Sequence, residues 1–481
     1  MRGGEFRRHG HALVDWVAEY LEHPERYPVL PRVKPGDVRR ALPSAAPEQA
    51  EDFEAVFDDF ERVLLPALTH WNHPGFFGYF ATSSNPAAIL AEFLAAALNQ
   101  QAMLWRTSPA ATELEAVSLD WLRQLVGLPD TFEGVIYDTA SISTLHGLAA
   151  AREAAVTAVR EDGLAARAGI PPLAIYCSEQ AHSSVEKAVI LLGFGQRSLR
   201  RIPVDEEFAL RIDILEHTIE RDLADGVLPV AVVATIGTTS TTSSDPVQAI
   251  AAVCARHGIW LHVDAAYAGV AAMLPECQPH FAGWEHADSI VFNPHKWLFV
   301  PVDLSAFYCR RMDVVRQAFS LVPDYLQSPH GGSDVRNLMD TGIQLGRRFR
   351  ALKLWMTLRD LGAEGIRDVL TRHMDLARRF AGWIDAHADF ERVAPVPFSV
   401  VCFRAHPRGI DDQQALDRLN ERLLDEVNAS GEVFLSHTRL RGAFVVRLAI
   451  GHLQTTDVHV SRAWELLQQT LDRCSQSVLP R

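Results

Sequence analysis

Cysteine is scarce in this 481-residue sequence and never closely paired. Cys177, Cys254, Cys277, Cys309, Cys402 and Cys474 are scattered, with no CxxC spacing. That excludes a zinc ribbon and suits free thiols in a reducing compartment, so a cytoplasmic location and no bound metal are expected. Long apolar runs are missing as well. No uncharged stretch approaches the roughly 18 residues a membrane span needs, so no membrane partner is expected. Residues 87–98 are rich in Ala and Leu, but Glu92 interrupts them, and a core or interface helix is expected there. Behind Met1-Arg2-Gly3-Gly4-Glu5 there is no apolar core, so no secretory leader is expected. Positive charge is short: 46 Lys and Arg against 60 Asp and Glu leave −14, which argues against a nucleic-acid partner. No internal repeat or low-complexity tract occurs.

What remains is an ordinary globular composition, 48% hydrophobic and 22% charged, long enough for two or three domains. Leu13, Val14, Trp16, Val17, Tyr20 and Leu21 repeat at helical spacing, and a connector with Pro24, Pro28, Pro31 and Pro35 follows. Residues 1–85 therefore read as a helical arm whose apolar face needs a cover. Between 86 and 350, apolar strands alternate with helical stretches. The strand candidates are 133–137, 173–177, 230–235, 260–264, 289–293 and 304–309. This pattern predicts an α/β fold with a mainly parallel sheet covered on both faces. Residues 351–481 read as a long helix and a smaller α+β unit with strands at 398–403 and 443–448.

The chemistry concentrates at two strand ends. Asn293-Pro294-His295-Lys296-Trp297 follows the apolar run Ser289-Ile290-Val291-Phe292. A lysine there, walled by His295 and Trp297, is rarely found without a partner or a covalent role. The covalent role that fits is attachment to the aldehyde of pyridoxal phosphate. Asp264 closes another apolar strand, 296 − 264 = 32 residues earlier. A carboxylate beside the pyridine nitrogen favours its protonated form. Alone, Asp264 would read as a cap or turn residue; together with Lys296 it is far more specific. Both fall at strand carboxyl ends, where ligands sit on such sheets. The stretch 139–144, with Thr139, Ala140 and Ser141 at its head, follows a strand and opens a helix, which suits a phosphate or an ordinary helix cap.

These segments resemble the group II pyridoxal-phosphate decarboxylases, closest to the aromatic-L-amino-acid decarboxylase type. The resemblance also rests on Thr69-His70-Trp71, Phe76-Phe77-Gly78-Tyr79-Phe80, Ser108 to Glu115, Gln180-Ala181-His182-Ser183-Ser184 and Leu345-Gly346-Arg347-Arg348-Phe349-Arg350. It implies a fold type I, aspartate-aminotransferase-like large domain and a homodimer with the active site at its interface. It implies Lys296, Asp264 and His182 as catalytic, with His182 stacked on the cofactor ring and Ala266 on the opposite face. Thr139, Ala140, Ser141 and Asn293 match phosphate contacts; Thr239 and His295 match positions near the cofactor. Trp71, Tyr79, Phe80, Thr82 and Met103 match the region lining an aromatic substrate pocket, where Met103 and Asn72 depart from the animal enzymes. Arg447 matches an arginine of the C-terminal domain.

In this family a mobile loop carries a tyrosine that delivers a proton to the substrate carbon after carbon dioxide leaves. The loop spans about 323–342 here, with Gly331-Gly332 at its tip. Counting back from Leu345-Gly346-Arg347-Arg348 puts Leu338 at the tyrosine position, and no tyrosine lies between Leu326 and that motif. Leucine has no proton to give. The expected reaction is decarboxylation of an aromatic L-amino acid to the arylalkylamine. The alternative is oxidation to aldehyde, ammonia and hydrogen peroxide, as in family members with phenylalanine at that position.

Overall fold

The computed structural model describes residues 1–164, 169–321 and 336–478. Its strands, in chain order, are β1 (Phe76–Phe77), β2 (Glu133–Tyr137), β3 (Leu173–Ser178), β4 (Leu199–Ile202), β5 (Leu228–Thr235) and β6 (Trp260–Asp264). They continue with β7 (Ser289–Phe292), β8 (Ser305–Cys309), β9 (Phe390–Arg392), β10 (Val400–Ala405), β11 (Phe434–Leu440) and β12 (Ala443–Ala449). The chain packs as two units: residues 1–81, 383–391 and 403–481 form one, and residues 82–382 and 392–402 the other.

The larger unit holds a seven-stranded sheet in the order β2-β8-β7-β6-β5-β3-β4. Strands β7, β6, β5, β3 and β4 pair parallel, while β8 runs antiparallel to both β7 and β2. This is the mainly parallel α/β sheet the alternating pattern predicts. The edge strand β4, Leu199-Arg200-Arg201-Ile202, escapes that pattern because two of its four residues are arginines. The central strands are buried on both faces, so they read as continuous apolar runs. The helix Ala140–Ala155 lies close on the sheet because Gly147 and Ala149–Ala151 keep its inner face small. The end of β2 is pinned by a buried ion pair. Arg347 Nη2 donates to Glu115 Oε1 at 2.7 Å and to the Ile136 carbonyl at 2.6 Å, and Ile136 N donates to the same carboxylate at 2.8 Å.

The helix Pro86–Leu98 starts as its sequence dictates. Asn85 Oδ1 accepts from Ala88 N at 2.8 Å, and Pro86 occupies the first position, where no amide donor is needed.

Residues 1–81 do not stand apart as an arm of their own. They belong with the C-terminal strands, because β1 pairs parallel with β11 through Phe76↔Phe434 and Phe77↔Leu435. That pairing joins segments some 350 residues apart, and a two-residue strand carries no period to announce it. The division between units falls at residue 382, inside the helical segment Ala351–Ala386, which is kinked at Gly362.

Candidate active site

Lys296 sits on a one-turn helix, Pro294–Trp297, directly after β7. Asp264 ends β6, which pairs parallel with β7 in the register Asp264↔Val291. The two turns beyond these strands are tied to each other: Ala265 N donates to Val291 O and Asn293 N to Ala266 O, both at 2.9 Å. Sheet pairing thus brings the lysine and carboxylate turns side by side.

A stack behind them fixes the pair. The buried Trp297 ring lies 4.8 Å from Tyr267 at 9°, and its Nε1 donates to His373 Nδ1 at 3.0 Å. Tyr267 is held in turn by a hydroxyl contact with Ser399. One side of the stack belongs to the lysine turn and the other to the turn after Asp264.

His182 follows β3 and caps the helix Ser183–Leu191, its Nδ1 meeting Ser184 N at 3.2 Å and Ser184 Oγ at 2.9 Å. Desolvation lowers its pKa; Lys296 adds to the lowering and Asp264 opposes it. Burial likewise pushes the Lys296 ammonium below its ordinary value, against the pull of Asp264. Both shifts require the three groups to lie within electrostatic reach of one another. A lysine with a lowered pKa holds more of its reactive neutral amine at pH 7. Asp264 is buried and accepts from Ala266 N at 3.0 Å.

Pyridoxal phosphate fits these residues. An amine with a lowered pKa and a buried carboxylate stand on adjacent strand ends. Thr139 is the N-cap of Ala140–Ala155 but makes no side-chain cap bond to it, and Ser141 is exposed in its first turn. A helix start with amides and hydroxyls suits phosphate. Asn293 Oδ1 and Thr235 Oγ1 are buried polar atoms with no hydrogen-bond partner among the described residues. Thr235 lies in register with Asp264. Buried orphans of this kind concentrate where a ligand completes the bonding.

The other predicted residues are distributed unevenly. Ala266 is half-buried and Thr239 is exposed in the turn after Gly237. His295 is buried, and its Nδ1 accepts from Leu304 N at 2.9 Å, which locks the lysine turn from behind. Thr82 and Met103 are half-buried in the same unit. Trp71, Tyr79 and Phe80 belong to the other unit. There Trp71 and Tyr79 stack at 5.6 Å, and Arg447 lies 5.5 Å over the Phe80 ring while its Nη1 donates to Ser436 Oγ at 3.0 Å.

Leu338 lies within the larger unit. It is 6% exposed and packs in the core with Val135, Tyr137, Phe307 and Val315. Its neighbour Met339 donates its backbone N–H to Met103 O at 2.9 Å. Most of the loop, residues 322–335, lies outside the described residues.

Sequence reading also missed Asp245. Its buried carboxyl accepts from Thr235 N at 2.8 Å and Leu210 N at 2.9 Å, and burial pushes its pKa up to about 7. Nothing in a Ser-Ser-Asp-Pro stretch signals this, because its partners come from distant segments.

Burial also shapes the response to acid. His146, His262 and His295 are buried in this unit, and burial pushes each down to about 4 from 6.5. Each is a base that the fold holds neutral. The stability it contributes is full above the unfolded value of 6.5 and is lost as pH falls from there toward 4. Each shift is worth about 3 kcal/mol once complete. The melting temperature should therefore fall steeply between pH 6.5 and 4.5, and a flat profile across that window would contradict buried neutral rings.

Comparison with known proteins agrees with this geometry. The family model described as the pyridoxal-dependent decarboxylase conserved domain matches residues 35–406. The chain is 40% identical to aromatic-L-amino-acid decarboxylase of Sus scrofa, over 97% of this chain and 96% of that one. It is 39% identical to phenylacetaldehyde synthase of Arabidopsis thaliana, over 98% and 96%. The crystal structure of Oryza sativa TDC with PLP and tryptamine matches with a TM-score of 0.94 at 35% identity, covering 98% of this chain and 99% of that one.

Proposed function

We infer the reaction from one premise: this chain belongs to the pyridoxal-dependent decarboxylase family. It is a pyridoxal-phosphate-dependent carboxy-lyase of the aromatic amino acid decarboxylase group. Within that group we propose that it converts an aromatic L-amino acid to the arylalkylamine and carbon dioxide. The observation that carries this is the coupled trio of Lys296, Asp264 and His182.

When bound, pyridoxal phosphate supplies an electron sink for the pair released from the carboxylate bond. The chain supplies everything else. Lys296 Nζ would be the amine that holds the cofactor covalently. Asp264 would partner the ring nitrogen, where a carboxylate favours the protonated form. His182 would cover one ring face and Ala266, with its small side chain, the other. Thr139, Ala140, Ser141 and Asn293 would hold the phosphate, with Thr239 and His295 at its margin. Trp71, Tyr79, Phe80, Thr82 and Met103 are proposed to line the substrate side.

Amine or aldehyde turns on a proton donor. Leu338 supplies none, so formation of the amine needs another acid, and we propose His182, Lys296 or water for that role. The second reading, an aldehyde synthase, is supported by the relatives of that activity at matching identity.

The deciding experiment is a product assay. Pure protein with pyridoxal phosphate is given tryptophan, phenylalanine, tyrosine and dopa in air, and amine, aldehyde and peroxide are measured together. Amine without peroxide is expected. Aldehyde with equal peroxide would replace the decarboxylase reading by the synthase.

We propose a homodimer on two exposed apolar surfaces. The helix Gly3–Glu22 buries none of its residues, and Leu90, Phe93, Leu94 and Leu98 are exposed on one helix. Faces of this kind mark contact sites. Mass photometry of the purified chain should give twice 53.4 kDa, and a monomer at micromolar concentration would overturn the proposal. A cytoplasmic location is proposed from the six cysteines, all buried and free.

A further inference from the structure

His262 lies two residues before Asp264 on β6 and is fully buried. Alternation along a strand puts Trp260, His262 and Asp264 on one face. A single hydroxyl links the first two of them. Trp260 Nε1 donates to Ser289 Oγ at 2.9 Å, and His262 Nδ1 meets the same oxygen at 2.8 Å. The indole can only donate, so Ser289 accepts from it. Among the described residues, the acceptor for the hydroxyl proton is then His262 Nδ1. That leaves the imidazole neutral with its proton on Nε2.

The ring is closely covered by the neighbouring helix. A Cβ added at Gly147 would come within 3.0 Å of His262 Nδ1 and 3.2 Å of both His262 Cε1 and Ser289 Oγ. The helix Ala140–Ala155 therefore closes directly over the imidazole, and a side chain at 147 would have to push the ring or the Ser289 hydroxyl aside by a few tenths of an ångström. Phe307 lies 6.4 Å away on the sheet. Yet Nε2 has no hydrogen-bond partner among the described residues. A buried donor left unmade costs roughly 1–3 kcal/mol, and such a feature calls for an explanation. Asp264 is the charged group whose field reaches this ring, and it favours a positive ring there, while burial keeps the ring neutral.

We propose that His262 is a positioning residue for Asp264. Its Nε2–H, through one buried water, is the donor that aims the Asp264 carboxylate at the pyridine nitrogen. Trp260 and Ser289 set the tautomer that makes this donor available. This rests on the reading of Asp264 as the partner of the ring nitrogen.

The test uses the full chain loaded with pyridoxal phosphate. His262→Leu removes the donor, and His262→Gln returns an amide N–H near the Nε2 position. Two quantities are read besides activity: cofactor dissociation, and the pH dependence of the bound cofactor's absorption spectrum. His262→Leu should loosen the cofactor by about 10–100-fold, as when an outer partner of a binding group is removed, and should shift the spectral transition. His262→Gln should recover most of both. Dissociation within twofold and an unmoved transition in His262→Leu would overturn the proposal. Should that variant fail to fold, ¹⁵N shifts of His262 in the unmodified holoenzyme decide instead. The neutral Nε2–H form is expected at pH 7, and a charged or Nδ1–H ring would overturn the assignment. Asp264→Asn serves as the control. An unchanged spectrum there would mean the site reading itself has failed, whereas a change there with none in His262→Leu would remove only the role of His262.

Discussion

Lys296→Ala will form neither amine nor aldehyde from any aromatic amino acid, and will lack the visible absorption of covalently held cofactor. The expectation follows from where the lysine is. Burial beside Asp264 lowers its pKa, which prepares the neutral amine for covalent work. A methyl group in its place has no nucleophile, and the neighbouring histidine cannot substitute, because His295 Nδ1 is already committed to Leu304 N. The fold should survive. Lys296 is only partly buried, and the turn is held by Asn293 N to Ala266 O, Lys296 N to Asn293 O and the Trp297–Tyr267 stack, none of which uses its side chain. Circular dichroism and melting temperature should stay close to those of the unmodified protein. Residual turnover above that of free pyridoxal phosphate would remove Lys296 from the mechanism.

Leu338→Tyr should speed formation of the amine and lower any aldehyde. General-acid assistance is typically worth about 10²–10⁴-fold, enough to redirect a partition between protonation and oxidation. The same product assay reads both channels, and peroxide should fall in step with aldehyde. Leu338 belongs to a buried cluster with Val135, Tyr137 and Phe307, so the added phenol should also cost about 1–3 kcal/mol of stability. An unchanged product ratio would mean that this position does not govern protonation.

Leu345-Gly346-Arg347-Arg348 is a secure landmark for counting back to Leu338, because Arg347 is buried against Glu115 and Ile136. The nearest earlier phenol, Tyr325, stands 338 − 325 = 13 residues before Leu338, too far for a slip of counting to exchange the two.

The sequence by itself determined the sheet class, the cofactor chemistry and the Asp264–Lys296 pair. These depend on local pattern: doubly buried strands read as apolar runs, and reactive residues fall immediately after them. Tertiary structure alone decided the rest. It joined residues 1–81 to the C-terminal strands through β1 and β11, put Leu338 in a core, and set Tyr267, His373 and Asp245 behind the site. It also locked His262 under Gly147, on a hydroxyl supplied by the neighbouring strand. Each of these depends on which distant segments meet. That is settled by the summed packing of the whole chain, which no local spacing records.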